Sequence, residues 1–193
     1  RRHTRFKCDW IQTCALPICG ELTLRPLRYR DRNRWLEIRR FNRDWLKPWE
    51  ATSPFHSEKD LPSFFEMVNF HNREGRAGRA LTLALWRGHE LIGQITMGGI
   101  SYGALRGAHI GYWIDQRWAN KGLMTEAVTT LTNHGFDELK LHRIEINLRP
   151  ENEASRRVAE KAGYLLEGRR PSYLHIDGDW RDHLVFVRLS SNN

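Results

Sequence analysis

Apolar and polar positions change period along this chain, and the changes mark out its elements. Leu22-Thr23-Leu24-Arg25-Pro26-Leu27 alternates as a half-buried strand does, with Pro26 suited to a sheet edge or strand end. Behind it, Asp31 or Asn33 can cap a helix carrying Trp35, Ile38 and Phe41 at helical spacing. Asn42 to Glu50 places two tryptophans around Lys47-Pro48, which predicts a short helix ending in a fixed turn. Leu61, Phe64, Phe65, Val68 and His71 predict a second amphipathic helix over residues 58–73. The period then shortens, and Ala80 to Trp86 and Glu90 to Ile100 form a hairpin around Gly88-His89.

The stretch from His109 to Val128 organises the rest. An apolar run, Ile110 to Ile114, gives way to the polar turn Ala119-Asn120-Lys121-Gly122 and then to a helix with Leu123, Met124, Ala127, Val128 and Leu131 on one face. Leu141 to Leu148 alternates as the next strand and Pro150 ends it; Asn152 then caps a helix through Val158, Ala159 and Ala162, with Gly163 at its C-terminal left-handed position. Tyr164 to Arg169 returns as strand. Tyr173 to Ile176 and Trp180 to Leu189 make a closing hairpin around Asp177-Gly178-Asp179. This order places an antiparallel sheet first and a strand-helix-strand crossover after it, an α/β architecture of the mixed α+β kind. The reading is one domain over residues 20–190.

Composition adds constraints. Of the net charge of +8, the first nine residues supply +3 through Arg1, Arg2, Arg5 and Lys7 against Asp9. The remainder is mildly basic, compatible with an anionic cofactor or nearby RNA. Cys8, Cys14 and Cys19 all lie in the first nineteen residues, so no disulfide framework is distributed through the fold and a reducing cytoplasm is expected. Residues 1–19 read as a non-native or disordered leader. With His3, their cysteine spacings do not fit a zinc knuckle, so the reading includes no metal. No apolar run reaches the roughly 20 residues of a membrane span.

A strand end followed by a helix start presents unpaired backbone N–H groups and the positive end of the helix dipole, a ready cradle for phosphate at residues 119–122. Trp45 and Trp49 read either as anchors of a loop or as ligand-facing rings, and Asn152 and Ser155 as a cap with a first-turn serine or as site residues. The element order, with Leu46-Lys47-Pro48-Trp49-Glu50, Gly111-Tyr112-Trp113-Ile114, Gly122-Leu123-Met124-Thr125-Glu126-Ala127, His142-Arg143-Ile144 and the tail Tyr173 to His183, resembles the GNAT acetyltransferases. Within them it is most similar to the RimJ/RimL-type ribosomal-protein N-terminal acetyltransferases, on the RimJ side.

The resemblance implies a mixed, mainly antiparallel sheet of six to seven strands flanked by about four helices. It implies acetyl-CoA as donor, a protein N-terminal α-amine as acceptor (a ribosomal protein starting with Ala or Ser), direct transfer in a ternary complex, and association with the ribosome. Carried onto this sequence, the donor site comprises Trp113, Ile114, Gln116, Asn120, Lys121, Gly122, Leu123, Met124, Thr125, Asn152 and Ser155. The acceptor site comprises Trp45, Trp49, Glu50, Tyr173 and Asp177. Ser155 is the candidate acid. Glu145 is the candidate base, with Asp177, Asp179 and His175 as alternatives. Two departures stand out: Ala119-Asn120 replaces the family's usual Gln-Gly, and Ala159 stands where many members carry a tyrosine acid. A small-amine acetyltransferase acting on an antibiotic or polyamine, and a non-catalytic acetyl-CoA-binding module of the ribosome, are the alternative readings.

Overall fold

In a computed structural model that describes residues 16–17, 22–55 and 61–191, one mixed sheet runs through the molecule. Its strands are β1 (Leu16–Pro17), β2 (Leu22–Arg25), β3 (Leu81–Arg87), β4 (Glu90–Ser101), β5 (Gly107–Ile114), β6 (Arg143–Leu148), β7 (Leu165–Ile176) and β8 (Asp179–Leu189). The spatial order is β1-β2-β3-β4-β5-β6-β8-β7. Only β5 and β6 pair in parallel, because the intervening helix must return the chain before β6 begins. The six or seven strands expected are thus seven, β2 to β8, joined at the edge by the two-residue β1. The rest of the leader read over residues 1–19, with its three cysteines, lies outside the described residues.

Among the described residues five α-helices flank the sheet: α1 (Arg32–Phe41), α2 (Arg43–Leu46), α3 (Phe64–Arg76), α4 (Leu123–Asp137) and α5 (Glu153–Lys161). α4 and α5 cover one face, where Ile95, Met97, Ile110, Ile144, Ile146 and Phe186 meet Val128, Leu131 and Ala159 in the main core. α1 and α3 cover part of the other face, where Trp35, Ile38, Phe64 and Val68 pack on Ala84 and Trp86. Period-2 alternation in β6 sends Ile144, Ile146 and Leu148 into the main core and leaves Arg143, Glu145 and Asn147 on the opposite face. Tyr164, just after α5, reaches back to Thr132 of α4 with a buried 2.6 Å hydroxyl contact, and burial pushes its phenol up to about 12.

Several expectations need correcting. The second amphipathic helix begins at Phe64, not residue 58: Ser63 caps it, accepting from Glu66 N while Glu66 accepts from Ser63 N. Leu61 precedes the helix and is exposed, and residues 56–60 lie outside the described residues. Phe41 faces outward under the Arg117 guanidinium rather than joining the core. Asp31 precedes α1 without capping it; its carboxylate is buried against Arg25 instead. The last two β segments before the Asp177-Gly178 turn are one strand, β7, with register shifts at Leu166/Gly168 and Arg170/Leu174. The turn itself has positive φ at both Asp177 and Gly178, as the closing hairpin requires.

Candidate functional site

The parallel pairing between β5 and β6 stops early. Gly107, Ala108 and His109 pair with Arg143, Ile144 and Glu145, and no β6 partner follows. β5 continues to Ile114 along β4, with Gly93 opposite Ile114 and Gln94 opposite Trp113. The backbone from Ile110 to Trp113 therefore has an open edge on its β6 side, which ends where Ile114 O accepts from Trp45 Nε1. A cleft of about 1050 Å³ follows this edge into the turn before α4.

The turn is held from below. Asp115 is fully buried and accepts from Arg117 N (2.8 Å) and from the Arg117 guanidinium (2.5 to 3.1 Å). Burial alone would raise its pKa, but those bonds outweigh it and hold the carboxyl below its ordinary value. Buried Asn42, between α1 and α2, accepts from Gln116 N at 2.9 Å. The chain then turns through left-handed Asn120 (φ 60°) and Gly122 (φ 79°). A Cβ at Gly122 would meet nothing within 4 Å, so the backbone there faces open space. The first helical bond of α4 is Glu126 N to Gly122 O, which leaves the N–H groups of Leu123, Met124 and Thr125 as first-turn donors. Lys121 Nζ lies 4.4 Å from the Trp118 ring centroid.

Across the cleft, Asn152 caps α5 by accepting from Ser155 N (3.0 Å). This fixes Ser155 at the mouth between β5 and α5, where its Oγ is 2.9 Å from the Tyr112 hydroxyl. Burial drives the Tyr112 phenol far above its ordinary pKa, so it stays protonated. A tyrosine is therefore present at this point, supplied by β5 rather than by α5, whose Ala159 is buried in the core. The signal was the Gly111-Tyr112 step, seen in the sequence as part of the family pattern rather than as a site residue.

His109 is a second residue that the sequence reading passed over. It lines the cleft with Thr96 and Gly111, and its ring lies against Gly98 and Gly99, where a Cβ would come within 3.0 and 2.9 Å of imidazole atoms. Desolvation lowers its pKa and Glu145, its β6 partner, opposes the shift, leaving the ring neutral at pH 7.

Of the residues expected at the site, Trp113, Ile114, Asn120, Lys121, Gly122, Leu123, Met124, Thr125, Asn152, Ser155, Trp45, Trp49 and Glu50 line this cleft. Met124 is buried at the main core, so only its backbone is offered. Ile114 O accepts from Trp45 Nε1 (3.1 Å), and the Trp113 ring packs edge-on against Trp35. Gln116, Glu145, Tyr173 and Asp177 stand outside the lining. Glu145 is paired with Arg143 (2.9 Å) and Arg170 (3.0 Å); burial raises its pKa, the two guanidiniums more than reverse this, and a carboxylate so held is a weak base. Tyr173 packs on His183 and accepts from Arg170 (3.1 Å). Asp177 reaches the cleft-lining segment through its backbone, donating to Glu50 O at 3.2 Å. The Glu50 carboxylate itself bonds Arg39.

Residues 21–165 match the family described as "Acetyltransferase (GNAT) domain". The chain is 34% identical over 172 residues to the [Ribosomal protein uS5]-alanine N-acetyltransferase of Escherichia coli, covering 85% of each chain. It is 45% identical over 103 residues to the probable N-acetyltransferase YjcK of Bacillus subtilis, a match that spans 53% of this chain and 57% of that protein. Among solved structures, Mycobacterium smegmatis RimJ in complex with CoA-disulfide superposes with a TM-score of 0.82 at 36% identity, covering 88% of this chain and 82% of that one.

Proposed function

The chain belongs to the GNAT acetyltransferases, in their RimJ/RimL-type branch, and from that premise we propose that it acetylates the N-terminal α-amine of a ribosomal protein starting with Ala or Ser, by direct transfer in a ternary complex. The observation that carries the proposal is the open β5 edge from Ile110 to Trp113, running towards the free N–H groups of α4. Such an edge suits a pantetheine arm laid along it as a strand, and the α4 start suits a pyrophosphate, so the residues present fit acetyl-CoA. Acetyl-CoA, when bound, supplies the activated acetyl group. Leu123, Met124 and Thr125 N–H groups, with Lys121, hold the anionic end. This backbone grip is why Ala119-Asn120 is compatible with binding. Backbone donors along β5 stabilise an oxyanion, a contribution of about 3 to 4 kcal/mol for a single donor in other enzymes.

The acceptor enters from the rim formed by Trp45, Trp49 and Glu50, with Tyr173 and Asp177 on the hairpin beyond it. Its ammonium has a pKa near 8, and neutral His109 takes the proton, directly or through water. Ser155 Oγ donates on the opposite side, with the Tyr112 hydroxyl behind it as a protonated reserve. Glu50 is neutralised by Arg39, which disfavours a polyamine, a ligand that needs unpaired carboxylates. The relatives' named substrate supports the ribosomal acceptor, and the reading places the activity in the cytoplasm.

The test is release of CoA from acetyl-CoA with peptides starting Ala or Ser, against polyamines and aminoglycosides. Turnover with the peptides alone is expected. Preferred turnover with the small amines, or no turnover with retained acetyl-CoA binding, overturns the proposal.

A further inference from the structure

Positive charge is not spread evenly over this protein. Residues 25–43 hold eight arginines and no lysine, against Asp31 and Glu37 alone, for a net +6. The remainder of residues 20–193 carries 19 basic and 20 acidic side chains, so this one segment accounts for the basicity of the domain. The segment is α1 with the turn before it and the junction after it. Arg25 is consumed by Asp31 and Arg39 by Glu50. Arg30, Arg32, Arg34 and Arg40 are exposed and form no salt bridge among the described residues.

Two adjoining clefts, of about 240 and 570 Å³, run along this helix and share Arg34 and His89. The first is walled by Arg30, Asp31 and Trp86, and the second by Arg40, Phe41, Glu37, Glu90 and an Arg117 that Asp115 and Glu90 hold. From the charge and the paired clefts, we propose that this face binds the phosphate backbone of RNA. A ten-residue helix extends about 15 Å, so its free guanidiniums match a row of phosphates better than a single anion. Arginine without lysine favours the bidentate geometry that phosphate offers. A concave, polar groove suits a strand rather than a flat bilayer.

The surface lies on α1 and the β3–β4 turn, away from Ser155 and His109, and the inference stands apart from the acceptor assignment. The experiment is fluorescence anisotropy of the full chain with a labelled RNA hairpin at about 0.15 M salt, without acetyl-CoA. Arg30→Glu/Arg34→Glu/Arg40→Glu should raise Kd tenfold or more and flatten the dependence of log Kd on log salt by about 2 to 3, one counterion's worth per lost contact. Arg73→Glu/Arg76→Glu/Lys140→Glu makes the same charge change elsewhere and should leave Kd nearly unaltered. Acetyl transfer to a free peptide should be unchanged in both triple variants. Equal losses in the two triple variants, equal affinity for anionic phosphatidylserine vesicles, or no RNA binding by the unmodified chain would each overturn the proposal.

Discussion

At the scale of single residues, the proposed site depends on protons held at three atoms. Ser155 Oγ and the Tyr112 hydroxyl form one couple, and the helix cap from Asn152 fixes its geometry. Ser155→Ala should lower kcat by about 10²-fold, in the range of a general acid, while changing the acetyl-CoA KM little. Tyr112→Phe should cost less in kcat, because Ser155 remains. If Tyr112→Phe matches the unmodified chain, the phenol only packs. The third atom is on the His109 ring, and its pH dependence has a definite sign. Desolvation lowers the imidazole pKa below 6.5, against the opposing field of Glu145, so the neutral base is present at neutral pH and lost as pH falls through the lowered pKa. The kcat profile should therefore show an acid limb below pH 6.5, and His109→Gln should remove that limb and lower the plateau by about 10²-fold. A limb that survives the substitution assigns the proton elsewhere. In the sequence the Asn-x-x-Ser spacing leaves Ser155 open between a first-turn serine and a site residue, and only the family resemblance makes it the candidate acid. Sequence reasoning missed Tyr112 and His109 because both sit in β5, where alternation says only which face a side chain takes and not that β6 will leave the strand.

At the scale of elements, β5 is positioned by close backbone approach on its β4 side. A Cβ at Gly93 would lie 2.5 Å from Trp113 O and 3.1 Å from Ile114 Cα, backbone atoms that can yield only by moving the strand. Gly93→Ala should therefore raise the acetyl-CoA KM several-fold or more and lower the Tm, with both read on the same preparation. Unchanged KM would show that the strand position is not what sets donor affinity. The turn after β5 depends in the same way on Asn42, whose carbonyl oxygen accepts from Gln116 N. Neither contact was legible in the sequence, where Gly93 falls inside the strand read from Glu90 to Ile100 and Asn42 opens the short helix read through Glu50. The elements themselves were legible wherever their period was long and uninterrupted, as in α4, β6 and the β7–β8 turn. The second amphipathic helix was placed too early, because Leu61 continues its apolar spacing upstream of the Ser63 cap that starts it.

At the scale of the whole molecule, distant parts of the chain are fastened together at the proposed acceptor rim. Ala51 bridges Ile176, Thr52 N donates to His175 O (2.9 Å), and Thr52 Oγ1 contacts His175 Nδ1 (2.7 Å) and accepts from Gly178 N (3.1 Å). Arg149, just beyond β6, adds a bond to Pro48 O (2.8 Å) and sits over the Trp49 ring. The segment around Trp49 and Glu50 is thus clipped to the closing hairpin, which joins the two groups of residues read from the sequence as the acceptor side. Their types could be read along the chain, but their proximity could not, because it rests on a turn 126 residues away. Thr52→Val keeps the shape and removes the hydroxyl, with a loss of about 1 kcal/mol per neutral hydrogen bond. If the clip orders the rim for an incoming peptide, this change should raise the KM for an Ala-initiated peptide by about fivefold and leave the acetyl-CoA KM and kcat near their original values. The donor half is held separately by β4, β5 and α4, so a parallel rise in both KM values would mean that the two halves move as one and that the rim is not a separate acceptor device.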